Sequence, residues 1–204
     1  MSIEVYAYLG RKIANLEQRV TQRLKNHGIE IEFQPGVDLL KTPDGESLAI
    51  LVKELPLDLR RKEPEALILI GFEYYANRRS AESEEWKPKG VKSYEYRVYT
   101  RTSSGRSILA GAMQYLITSA IAYESEGKVW VNGEDMASIG KNSFDKALAE
   151  LLGLKCEVDI GSMTFAGWPE GDQRISWPTD VIKAHSLPEV DIPKKTAWWK
   201  FWVT

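Results

Sequence analysis

Carboxylates and guanidiniums are the side chains best placed to do chemistry here. Glu82, Glu84 and Glu85 crowd one polar stretch, and Arg97, Arg101 and Arg106 follow it. Paired carboxylates can act as general acid and base, and grouped arginines can hold a phosphoryl or carboxyl group. Acids clustered in a polar loop are normally solvated and titrate ordinarily, so this spacing alone does not build a catalytic pair. Arg97 and Arg101 share one side of an alternating segment and, with Arg106 nearby, make the one compact basic stripe. Its plainer reading is a sheet face paired with the acidic loop.

Other chemistries find less support. The two histidines, His27 and His185, are far apart, and His27 beside Gly28 suits a helix C-terminus. Neither a nucleophile elbow nor a paired-histidine metal motif occurs. The single cysteine, Cys156, rules out an internal disulfide and a cysteine-based zinc site, and its setting reads as a buried strand position. Ser103-Ser104-Gly105-Arg106 precedes a helix and could hold an anion on backbone N–H groups. It lacks the lysine and glycine spacing of a phosphate loop, so a helix cap explains it better. Trp198, Trp199, Phe201 and Trp202 are mixed with lysines near the C-terminus and could stack on single strands or sit at a membrane surface. Packing over a core edge is the simpler role in a chain of net charge -2. No metal, cofactor, nucleic-acid or membrane partner is therefore expected.

These residues must be positioned by elements that the hydrophobic pattern outlines. The 204 residues, 43% hydrophobic and 27% charged, suffice for a real core. The N-terminus lacks the basic and apolar regions of a signal peptide, and the longest apolar helical run is short for a bilayer, so a cytoplasmic location is expected. Period-two alternation predicts strands over 3–9, 29–33 and 94–101, a continuous hydrophobic run predicts a central strand over 66–75, and residues 47–53, 128–131 and 155–160 are β-like. Helical spacing predicts helices over 11–27, 104–124 and 144–152, the last capped by Ser143, and Asn132-Gly133 marks a tight turn. Residues 94–101 alternate Tyr94, Tyr96 and Val98 against Glu95, Arg97, Tyr99 and Arg101, one aromatic face against one charged face. The helix within 104–124 is apolar almost all round and should be covered on more than one side. Residues 77–90 form a polar excursion long enough to be functional and are the best candidate for a mobile loop.

Strands arriving in a run between helices predict an α+β fold: a mainly antiparallel sheet with helices packed on one face and a loop-rich C-terminal extension. The expected division is a core domain over 1–133 and an extension over 134–204 packed on it.

The order of the hydrophobic strand 66–75, the Tyr/Arg strand 94–101, the small-residue helix 107–123 and Gly127-Lys-Val-Trp-Val-Asn-Gly133 resembles bacterial immunity proteins that neutralise polymorphic toxins. That resemblance implies a single-domain cytosolic binder that occludes a toxin's active site and has no catalysis of its own. Immunity proteins for nucleases tend to be strongly acidic and this chain is not, so the toxin class stays open.

The expectation is thus a non-catalytic inhibitor of a protein partner, contacting it through Glu82, Glu84, Glu85 and Trp86 with the Arg97 and Arg101 face adjoining. Two rivals share the chain's features. One is a phage- or plasmid-encoded inhibitor of a host defence system. The other is a small-molecule enzyme working through carboxylates and arginines, which would need a pocket gathering Arg97, Arg101 and Arg106.

Overall fold

In the computed structural model the described residues are 3–56, 67–78, 88–91, 93–102, 108–154, 163–164, 168 and 181–183. Glu82, Glu84, Glu85, Trp86, Arg106, Cys156, His185, the stretch 103–105 and the aromatic C-terminus lie outside them, as does the strand expected over 155–160.

In chain order the elements are β1 (Ile3–Leu9), α1 (Leu16–Lys25), β2 (Glu30–Phe33), β3 (Ser47–Glu54), β4 (Leu67–Arg78), β5 (Tyr96–Thr102), α2 (Ile108–Glu124), β6 (Lys128–Val131), β7 (Ser138–Ile139), α3 (Gly140–Leu152), β8 (Met163–Thr164) and β9 (Val181–Lys183). Seven strands pair antiparallel in the order β2-β3-β4-β5-β1-β6-β7. β9 pairs with Leu67 and Ile68, and β8 joins it in parallel. The fold is α+β, a mainly antiparallel sheet with its helices on one face.

Strand alternation divides the sheet into two chemically different faces. Val5, Ala7 and Leu9 of β1, Ile50 of β3, Phe72 of β4 and Val98 of β5 turn inward and bury against all three helices. α2 is the pivot, with the sheet on one side, α3 on another and α1 alongside. Gly140 lets α3 start against it, because a Cβ there would stand 2.7 Å from the Ala122 backbone. The small residues of this helix thus serve close packing between backbones.

A polar bridge ties the helix to the two strands above it. Gln114 Nε2 donates to Thr100 Oγ1 at 3.1 Å and to the Ile3 carbonyl at 3.3 Å. Thr100 Oγ1 donates to the Val5 carbonyl at 3.2 Å. Fully buried hydrogen-bonded groups of this kind fix register, because a shift would leave them unpaired.

Two boundaries differ from expectation. The first helix starts at Leu16, not near 11, because Asn15 adopts a left-handed backbone (φ 57) that a continuous helix cannot pass through. It ends as foreseen at Gly28, whose positive φ lets the N–H groups of Gly28 and Ile29 reach the Lys25 and Leu24 carbonyls. The third helix begins at Gly140, directly after β7, so Ser143 is a buried interior residue and not the cap. The Gly140 N–H is already taken by the Gly127 carbonyl at 2.9 Å, so the hairpin itself starts the helix.

The excursion after β4 also differs from a free loop at its described end. Pro88 and Val91 are buried, and Val91 packs with Tyr8, Trp130 and Ala137 on the face away from the helices. Lys128 Nζ donates to the Gly90 carbonyl at 3.0 Å and pins the same segment.

Candidate functional site

Register across four neighbouring strands assembles rows of side chains on the face away from the helices. The middle row is aromatic: Tyr75 of β4 pairs with Tyr99 of β5, Tyr99 with Tyr6 of β1, and Tyr6 with Trp130 of β6. Successive ring centroids lie 5.6, 4.8 and 5.0 Å apart. Tilted aromatic pairs at such distances contribute about 0.5–1.5 kcal/mol each beyond the area they bury. Trp130 is buried and closes one end, donating Nε1 to the Glu134 carbonyl at 2.7 Å, while the three tyrosines are half-buried.

Charged rows flank the rings. On one side Glu73, Arg101 and Glu4 stand in register, with Arg101 Nη1 3.6 Å from Glu73. On the other side come Asn77, Arg97, Tyr8 and Lys128. Arg97 Nε donates to Asn77 Oδ1 at 3.3 Å, and its guanidinium lies 5.8 Å from the Tyr6 ring centre.

Of the residues singled out from the sequence, Arg97 and Arg101 are therefore on one face as expected, but they do not converge. Four residues of extended strand separate them by about 13 Å, with Tyr99 between, and each turns to its own neighbour. Arg101 pairs across strands with Glu73. The expected partition of the Tyr/Arg strand is corrected as well. β5 starts at Tyr96, so Tyr94 escapes the alternation and lies 6.5 Å from Tyr8 on the outer face. Tyr96 packs toward the helices with Lys12 Nζ 3.7 Å above its ring. The ring that organises the outer face is Tyr99, which alternation alone places among charges.

The Tyr6 and Tyr75 hydroxyls are held as donors, to Glu4 and Glu46. Burial, then the Glu4 carboxylate, pushes the Tyr6 phenol up to about 12. Tyr99 is raised by burial and then by the same Glu4 charge. Tyr75 is raised first by its hydrogen bond to Glu46, 2.8 Å away, and then by burial. At neutral pH the row is uncharged and cannot serve as a general base.

His27 lies just past the end of α1, exposed, with its ring 5.5 Å from Phe144. Among the described residues no group of three His, Cys, Asp or Glu side chains is arranged to hold a metal ion. No helix among them is long and apolar enough to cross a membrane.

The aromatic row escaped sequence reasoning because its members come from four separate strands. The available signal was a ring at an outward position in each of them, but only the register joins Tyr6, Tyr75, Tyr99 and Trp130. Compared with known proteins, the chain matches no family model, no curated protein and no solved structure.

Proposed function

We propose that this chain is a non-catalytic protein-binding inhibitor of the immunity type, which neutralises a secreted bacterial toxin in the cytoplasm by occluding its active site. Its contact surface is the outer sheet face centred on Tyr99. The carrying observation is the aromatic row with an arginine on either side. Tyrosine, tryptophan and arginine are the side chains that dominate the energetics of protein interfaces. Their mounting on paired strands, locked from below by Gln114 and Thr100, keeps the ordering cost of binding small. The order of strands and helices that resembles immunity proteins gives the reading its toxin partner. Arginines that do not converge offer little to a small anionic substrate.

The experiment is co-expression with the product of each adjacent gene. The reading expects one of these products to be toxic alone, to co-purify with the chain, and to be neutralised by it. If no neighbouring product binds the chain or is neutralised by it, the toxin-inhibitor reading fails.

A further inference from the structure

We propose that the partner meets this face with an extended aromatic-and-basic segment, its lysine or arginine side chains seating against Glu4 and Glu46 beside the tyrosine row. The inference rests on the binding reading above and specifies the chemistry of what is bound.

Three carboxylates follow the row: Glu46 just before β3, Glu73 on β4 and Glu4 on β1. Among the described residues only Glu73 has a cation within ion-pair distance, Arg101 at 3.6 Å, which stands in register between Glu73 and Glu4. Glu4 accepts from the Tyr6 hydroxyl at 3.3 Å and from the Asn132 amide at 3.0 Å. Glu46 accepts from the Tyr75 hydroxyl. Those donors are neutral, so this flank keeps an excess of negative charge at both of its ends. Strands lie about 4.8 Å apart, which puts β1 and the start of β3 roughly 14 Å from each other. Basic side chains four residues apart in an extended segment span about the same distance.

Each alternative occupant fails on one count. Nucleic acid would bring phosphates against Glu4 and Glu46. A purely apolar surface would strip water from both carboxylates and leave them unpaired. A metal would need a ligand group that the described residues do not form. A basic side chain neutralises the carboxylate and can also lie over a tyrosine ring, which attracts cations.

The test is selection of a random dodecamer peptide library, displayed on phage, against the full-length chain, with Glu4→Gln, Glu46→Gln and Tyr75→Ser as comparison baits. Circular dichroism confirms that each variant is folded. The proposal expects enriched peptides to combine aromatic residues with lysine or arginine and to lose binding to Tyr75→Ser. Affinity should drop roughly two- to fivefold with either glutamine variant, the range of an exposed ion pair, and fall with added salt. Peptides that need Tyr75 but carry no cation, or ignore both glutamine variants, overturn the inference and leave the binding reading standing. A selection yielding no peptide that depends on this face also overturns the inference, while the binding reading is decided separately by the co-expression experiment.

Discussion

Tyr6 lies directly across from Tyr99, with ring centroids 4.8 Å apart and planes tilted by 42°. This one pair joins β1, the first strand of the chain, to β5, and the rings of Tyr75 and Trp130 extend it on either side. On the proposed binding reading, stability and recognition are coupled on the same face, since the side chains that would meet a partner also hold the sheet together.

Replacing Tyr99 with alanine removes the middle ring. A loss of about 2–4 kcal/mol in unfolding free energy is expected, combining lost burial with two ring contacts. Tyr75→Ser, at the more open end, should cost less than Tyr99→Ala, and denaturant unfolding of both variants checks the order.

Two glycines of the helical layer should respond in opposite directions. Gly140→Ala forces a Cβ to 2.7 Å from the Ala122 backbone and is expected to destabilise by about 1–3 kcal/mol. Gly111→Ala, inside α2 with nothing nearer than the Ile3 side-chain end at 4.0 Å, should stabilise by up to about 1 kcal/mol. Thermal melts of the pair decide the matter.

Arg23 links the helices. Its Nε lies 2.5 Å from Glu124 Oε1, and its guanidinium sits 3.6 Å from the Tyr123 ring centre. Glu124 keeps only 10% of its side chain exposed, so removing Arg23 leaves a largely buried charge with only the more exposed Arg19, 3.7 Å away, to offset it. Arg23→Ala should cost about 2 kcal/mol or more, and Arg23→Lys should recover only part, because a planar group is needed to stack on Tyr123. A double-mutant cycle with Glu124→Gln measures the coupling.

Alkali should weaken the fold through the tyrosines. Tyr6 is raised from 10.0 to about 12 in the folded chain, by burial first and then by the Glu4 charge. Below pH 10 the phenol is protonated in both states and its contribution is fully present. As pH rises from 10 towards 12 the unfolded chain loses the proton first, so stability falls through that window. Tyr6→Phe should shrink the loss, as read from unfolding midpoints across the alkaline range. An unchanged profile would contradict this assignment.

Much of this architecture is legible in the residues themselves. Alternation in residues 3–9 marks β1, the β-like run 128–131 marks β6, and the spacing from Leu109 to Ile121 marks α2. Gly28 marks the end of α1, and Asn132-Gly133 the turn after β6. The strands β7, β8 and β9 have only two or three residues each, too few for a period to register. Ser143 misleads because its type suits a cap, whereas the preceding hairpin, which no local pattern encodes, delivers Gly140 to the side of α2 and starts the helix there. The outer face is half legible, since the spacing of Arg97 and Arg101 puts them on one side of their strand. Tyr6, Tyr75 and Trp130 join them only through pairings between strands remote in sequence, which no local pattern encodes.

The most direct test of the outer face as the binding surface is a calorimetric titration of the full-length chain with the adjacent gene product that co-expression identifies as its partner, using wild type and Tyr75→Ser. The account predicts saturable one-site binding by wild type, weakened at least about tenfold, or about 1.4 kcal/mol, in a folded Tyr75→Ser chain. Equal affinity in the two proteins, or no heat of binding with wild type, would contradict it.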